Sequence, residues 1–187
     1  MMKRPRGLSL VEVLVALVVL GIVLALAIPS LSDMLNRRRT LAAAEQLMSD
    51  IAFARTETGL RTQEVNITFG SDATQSCYTV YYVRAAATCD CTRGQGHACS
   101  KLNGAANPGM EFRTFSLPAS QGVSLTPDPN SWSILHFDPP RMTADPRDAA
   151  IKVVGTSGVQ LRVQLNAMGR MSLCSSRQSV GGVTPCE

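Results

Sequence analysis

The residues with most chemistry to offer are six cysteines and two histidines. Cys89-Asp90-Cys91, followed by His97 and Cys99, gathers three thiols and an imidazole in one short stretch. Such a donor set suits zinc when the thiols are reduced and disulfides when they are oxidised. Cys77, Cys174 and Cys186 make the count even, and all six lie in small polar surroundings, which reads as a disulfide framework in an oxidising compartment. No metal is expected on that reading. Cys89 and Cys91 are too close to pair with each other. Cys174 and Cys186 flank a loop containing Gly181-Gly182 and are expected to pair, restricting the unfolded chain by about 2–4 kcal/mol. The partners among Cys77, Cys89, Cys91 and Cys99 stay open. His136 sits in an apolar alternation and reads as a packed strand residue. Neither histidine falls in a Ser-His-Asp order and no glycine loop is built to cradle phosphate, so neither catalysis nor a cofactor is expected.

A carboxylate in the wrong solvent is the next signal. Glu12 lies inside an apolar run, Leu8 to Ile28, followed by Pro29 and preceded by the basic residues Lys3, Arg4 and Arg6. The run is long enough to cross a hydrocarbon core of about 30 Å as a helix. The cations before it would stay cytoplasmic, placing the C-terminal domain outside. A secretory signal peptide would have a shorter apolar part and a small-residue cleavage site, and Ala-Ile-Pro is a poor one. A plain signal anchor explains the length but not Glu12, because a carboxylate in a membrane helix costs a few kcal/mol unless it is paired.

Gly7-Leu8-Ser9-Leu10-Val11-Glu12 resembles the processing site of type IV pilins and type II secretion pseudopilins. The resemblance implies that a prepilin peptidase cuts after Gly7 and that Leu8, where the family usually carries phenylalanine, becomes the N-methylated first residue. Glu12 would then be the fifth mature residue and would neutralise the amino terminus of a neighbouring subunit during assembly. The physics is sound, since opposite charges in low dielectric attract strongly and relieve each other's desolvation. Pro29 matches a proline common in these helices, where it lacks an N–H and favours a kink or local melting.

The same resemblance sets the expected organisation: residues 1–7 a cleaved leader, 8–28 the transmembrane part of an N-terminal helix, 29–59 its amphipathic continuation, and 60–187 a β-rich extracytoplasmic domain. Leu41, Ala44, Met48, Ile51 and Ala54 recur at helical spacing, and Gly59 is expected to cap the helix. Arg37-Arg38-Arg39 reads as a solvated face or a contact with lipid headgroups. Strands are expected at Val65–Phe69, Cys77–Val83, Phe112–Leu117, Val123–Leu125, Ser133–Phe137, Ile151–Val154 and Val159–Leu165, with a loop over Ala87–Gly109. The fold class is α+β and type IV pilin-like, a long N-terminal helix packed against a mostly antiparallel sheet domain.

Leu47–Glu57 with Val65–Thr68, Ile134–Pro139, and Leu165–Arg170 resemble the minor pilin and pseudopilin family that includes FimT, FimU and GspH. The resemblance covers nearly the whole chain, Ala87–Gly109 matching least. It implies a structural subunit of a type IV pilus contributing to pilus assembly, or alternatively a GspH-like pseudopilin acting in protein export. Its partners would be other pilins or pseudopilins, the prepilin peptidase, the inner membrane and, for FimT-like members, double-stranded DNA taken up in transformation. In that group a Gly-Arg-x-Arg motif near the C terminus is linked to DNA binding. This chain has Gly169-Arg170-Met171-Ser172, so the second arginine is a serine. Arg177 in the following loop, with Arg162 and Lys152 on nearby strands, is the candidate replacement for its charge. Bulk charge gives little help: without the three leader cations and Glu12 the remainder carries +2. Gly169-Arg170 is equally readable as an ordinary surface turn.

Overall fold

The computed structural model describes residues 9–84, 88–100, 109–139, 141–176 and 181–186, without the side chains of 26–30. Backbone contacts divide the chain into two units, Met1–Leu35 and Asn36–Glu187. One helix, α1 (Leu10–Arg61), contributes to both. In the first unit its side chains are solvent-facing: Leu10 is 77% exposed, Leu17 59% and Leu24 52%. Among the described residues no helical stretch is both long and apolar enough to cross a membrane. The apolar run of the sequence is described with its side chains only from Ser9 to Ala25.

From Asn36 onward α1 changes character. Thr40, Ala43, Ala44, Leu47, Asp50, Ile51, Ala54 and Thr58 are buried, a stripe at the three-and-four spacing of a helix face. The small residues on it let the sheets approach closely. Thr40 and Thr58 return their hydroxyls to the carbonyls of Asn36 and Ala54, so no polar atom of theirs is left without a partner. The helix runs through Gly59 and ends at Arg61, two residues beyond the expected cap. Thr62 takes the left-handed conformation (φ 52°) that glycine was expected to supply. Gly59 is small for another reason: a Cβ there would come within 2.8 Å of the Met142 sulfur.

The rest of the unit is two five-stranded sheets. In one, β1 (Val65–Ser71), β2 (Gln75–Val83), β3 (Gly109–Pro118), β5 (Ile134–Asp138) and β6 (Thr143–Asp145) run in the order β3-β2-β1-β5-β6. In the other, β4 (Val123–Asp128), β7 (Ala150–Gly155), β8 (Gln160–Leu165), β9 (Met171–Ser175) and β10 (Thr184–Pro185) run in the order β10-β9-β8-β7-β4. Every pairing is antiparallel except β9 with β10. This is the expected α+β class, a long N-terminal helix with mostly antiparallel sheets. Seven strands fall on the expected segments; β6, β9 and β10 were not expected from the sequence. Asp72 organises the β1–β2 turn, its carboxylate accepting from the Thr74 hydroxyl and the N–H groups of Thr74 and Gln75. The Thr74 hydroxyl bond, ahead of the backbone ones, holds that carboxyl below the ordinary carboxylate range.

One apolar core collects Leu47 and Ile51 from the helix, Ile67, Tyr78, Leu135 and Phe137 from the first sheet, and Ile151, Val153, Leu161 and Val163 from the second. Each such side chain contributes about 1.5–3 kcal/mol by burial. A charge sits inside this core. Asp50 is 1% exposed, and its carboxylate accepts from the Tyr78 hydroxyl at 2.7 Å, Gln46 Nε2 at 3.1 Å and the Arg113 guanidinium at 2.6 Å. Arg113 in turn lies over the Phe53 ring, 4.1 Å from its centroid. A bulge between β2 and β3 makes this possible: Val80 faces Arg113 and Tyr81 faces Glu111, leaving Phe112 as the extra residue. Phe112 packs edge-on to Phe53 at 5.6 Å.

Asn36 is the first residue of this unit and ties α1 to two turns. Its amide donates to the Gly122 carbonyl at 3.2 Å and accepts from the N–H and hydroxyl of Ser157 at 3.2 and 3.0 Å. Gly155 lies so close that a Cβ would meet Thr40 Oγ1 at 2.3 Å.

Removing the carboxylate with Asp50→Ala strands Arg113 and the Tyr78 hydroxyl and is expected to cost about 3 kcal/mol or more in thermal or denaturant unfolding of the detergent-solubilised chain. A loss under about 1 kcal/mol counts against a central role for the pair. Tyr78 carries a pH signature. Burial first, then its bond to Asp50 and that residue's charge, push the phenol well above its ordinary value of 10.0. The folded state therefore holds this proton more tightly than the unfolded one. The stabilisation is complete below pH 10.0 and is lost as pH rises beyond it. Tyr78→Phe should start less stable by about 1–2 kcal/mol and show a shallower alkaline decline.

Candidate functional site

Two regions of the chain hold the residues singled out above. In the first, Gly7 and Leu8 lie outside the described residues. Ser9 precedes α1 as its N-cap, its hydroxyl accepting from the Val11 N–H at 3.2 Å while its carbonyl accepts from Val13. Glu12 follows in the first turn, exposed and among apolar neighbours. A negative charge there complements the positive end of the helix dipole. The spacing Ser9-x-x-Glu12 is that of a capping box, a start signal that the sequence carried and that was not expected from it. α1 continues across Pro29 without a break. Proline removes one intrahelical bond, which a helix of this length absorbs.

The second region is the Asn166–Arg170 turn between β8 and β9. Asn166 builds it: its side-chain oxygen accepts from the N–H groups of Met168 at 3.1 Å and Arg170 at 2.9 Å, and its carbonyl accepts from Gly169. Gly169 has φ +70°, a conformation that favours glycine. Arg170 is exposed, and so is Ser172, where the resemblance would place a second arginine. Lys152 and Arg162 face each other across β7 and β8, but both are engaged: Lys152 Nζ and the Arg162 guanidinium each lie 2.9 Å from the Asp128 carboxylate. Arg162 Nε is buried with no hydrogen-bond partner among the described residues. Arg162, Arg170, Gln164, Asn166 and Ser172 line one depression of about 350 Å³, together with the carboxylate of Asp148. Arg177 lies outside the described residues. The structure therefore brings Arg162 and Arg170 to one depression and commits Lys152 and part of Arg162 to Asp128.

The cysteines form Cys77–Cys91, Cys89–Cys99 and Cys174–Cys186 bridges, closing the question left open for the first four. No free thiol remains among the described residues, so the zinc alternative at Cys89, Cys91, His97 and Cys99 loses its sulfur donors. His136 Nδ1 lies 3.1 Å from the Glu64 carboxylate and 3.0 Å from the Asn66 side-chain oxygen, both acceptors, so the imidazole is the donor in this local polar contact.

Sequence reasoning missed two residues. Asp50 had one signal, an acid on the apolar stripe three residues after Leu47. Arg55 had none, and only the structure shows its side chain laid against Gly169, where a Cβ would meet Arg55 Cδ at 3.0 Å.

A helix whose described N-terminal side chains are exposed and apolar, followed by two mostly antiparallel sheets stapled by disulfides, is a pilin-like arrangement. Residues 2–28 match the prokaryotic N-terminal methylation motif. The fold matches the crystal structure of the type IV minor pilin FimU of Pseudomonas aeruginosa, with a TM-score of 0.52 and 15% identity over 73% of this chain and 89% of that one. No curated protein matches the sequence. The chain thus carries a methylation motif at its N-terminal end and has the type IV pilin-like fold seen in FimU.

Asn166→Ala removes the acceptor of two N–H groups and should cost about 1–2 kcal/mol, with amide exchange rising at Met168 and Arg170 ahead of the sheets. Unchanged protection at both amides would mean that the turn is held by something other than Asn166.

Proposed function

We propose that the chain is a minor pilin, a structural subunit of a type IV pilus that contributes to pilus assembly and does no catalysis. The observation that carries this reading is the join of a methylation motif over residues 2–28 to a helix whose described N-terminal side chains are exposed and apolar. In this reading the prepilin peptidase cuts after Gly7 and Leu8 is methylated. The apolar run spans the inner membrane once with the C-terminal domain in the periplasm, and the subunit then enters a filament of other pilins. Glu12, an exposed carboxylate without a partner among the described residues, meets the amino terminus of a neighbour. The same motif and fold would serve a secretion pseudopilus acting in protein export, which is the alternative to the pilus.

Binding of double-stranded DNA is the second reading. It is supported by Arg170, an exposed guanidinium that pairs with no carboxylate among the described residues, on a turn fixed by Asn166.

Gly7→Trp should leave the precursor uncut, seen as an intact leader by mass spectrometry of the membrane fraction; normal cleavage overturns the pilin reading. Glu12→Ala should be cut normally yet fall by roughly tenfold or more in purified filaments, since the neighbour's amino terminus loses its counter-charge. Incorporation at the normal level would remove Glu12 from assembly.

A further inference from the structure

The first four cysteines are paired across one another. Along the chain they run Cys77, Cys89, Cys91, Cys99, and the bridges join the first to the third and the second to the fourth. Cys174–Cys186, by contrast, joins neighbours in the cysteine order. Four cysteines allow three pairings. Cys89 and Cys91 sit too close to bond with each other, which leaves the crossed pairing of the folded domain and the consecutive pairing Cys77–Cys89 with Cys91–Cys99. Loop closure does not choose between these two. The consecutive loops are slightly shorter than the native separations of 14 and 10 residues, and closure entropy changes only slowly with length. In the unfolded chain Cys77 therefore meets Cys89 as readily as Cys91.

The folded domain does choose. Cys77–Cys91 is seated against Gly70, which faces Cys77 across β1 and β2; a Cβ at Gly70 would lie 3.0 Å from the Cys91 sulfur and 3.8 Å from that of Cys77. Cys89–Cys99 packs instead with Tyr81 and Val83, further along β2. Cys77, Cys89 and Cys91 are each 1% exposed and Cys99 5%, so a thiol has no access to these sulfurs once the domain has closed. A consecutive pairing has to be corrected earlier, on the open chain. There all four sulfurs are already bonded, so the attacking thiolate must come from outside. We infer that this chain is a substrate of a thiol–disulfide isomerase, which acts on the Cys89-Asp90-Cys91 segment before the domain closes. The exchange balances with no net oxidation. The catalyst's thiolate attacks Cys89 Sγ in Cys77–Cys89, forming a mixed disulfide and releasing the Cys77 thiolate. Cys77 then attacks Cys91 Sγ in Cys91–Cys99, forming Cys77–Cys91 and releasing the Cys99 thiolate. Cys99 attacks Cys89 Sγ in the mixed disulfide, forming Cys89–Cys99 and returning the catalyst's thiolate. Two disulfides are present before and after, and each released thiolate is the next nucleophile. This goes beyond the filament and DNA readings and depends on neither.

The test maps the bonds of the full chain. The protein is reduced and unfolded in guanidinium, then diluted into non-ionic detergent with diamide, which oxidises thiols to disulfides and leaves no thiol reagent behind. Remaining thiols are blocked before digestion with trypsin and endoproteinase Asp-N. Cleavage after Arg84, before Asp90 and after Arg93 puts Cys77, Cys89, Cys91 and Cys99 on four separate peptides, whose linkages mass spectrometry reads. Diamide alone should leave roughly half of the molecules with Cys77–Cys89 and Cys91–Cys99, because closure entropy does not discriminate. Reduced protein disulfide isomerase, added in catalytic amount once the diamide is removed, should convert them and raise the native map about twofold. Cys77→Ser combined with Cys91→Ser leaves cysteines whose native pairs are all consecutive. That variant should reach Cys89–Cys99 and Cys174–Cys186 with diamide alone, and its bond map can be read whether or not it folds. Native pairing in about nine-tenths or more of the molecules with diamide alone overturns the inference, since the chain then needs no catalyst. So does a consecutive map that the isomerase leaves unchanged, or a double variant that depends on the isomerase as much as the unsubstituted chain.

Discussion

A single carboxylate sets the registration of the folded domain. Asp50 is held by Tyr78 from β2, Arg113 from β3 and Gln46 from its own helix. Apolar surfaces are permissive about sliding, because a leucine is nearly as well buried one turn away. A carboxylate with three convergent donors accepts one arrangement. The cost of burying it is largely offset by those donors, so its contribution is better seen as specificity of packing than as net stability. The β2–β3 bulge belongs to the same arrangement. By adding Phe112 it lets Arg113 meet Asp50 while its guanidinium rests on Phe53.

The helix that carries Asp50 obeys two different chemistries along its length. Before Asn36 its described aliphatic side chains, from Leu10 to Leu24 and again at Leu31 and Leu35, are exposed. After Asn36 it alternates small buried residues with polar exposed ones. Asn36 marks the change, since its side chain satisfies backbone groups of two turns that approach only because positions 122 and 155 are glycine.

Much of this was legible in the sequence, for physical reasons. Strands buried on one face alternate visibly, as in Val65–Phe69 and Val159–Leu165, and those segments fell into place. β6 and β10 are too short to show a period, and Met171–Ser175 mixes exposed and buried positions without alternation. Gly59 looked like a cap because glycine usually ends helices; here it makes room for Met142, a contact between residues far apart in the chain. The same distance hides Arg55. Its seat on Gly169 depends on two sheets folding the chain back, and no local pattern encodes that. The methylation motif over residues 2–28 was readable because its signal lies in consecutive residues.

The two bridges behind β2 overlap. Cys77–Cys91 spans one stretch, Cys89–Cys99 the next, and they share the segment from Cys89 to Cys91. A protease that cuts any one peptide bond between Cys77 and Cys99 therefore leaves both new ends covalently attached to the subunit. Cys174–Cys186 gives the C-terminal loop the same protection. Loops closed by these bridges can in this way be nicked without the chain coming apart into separate pieces.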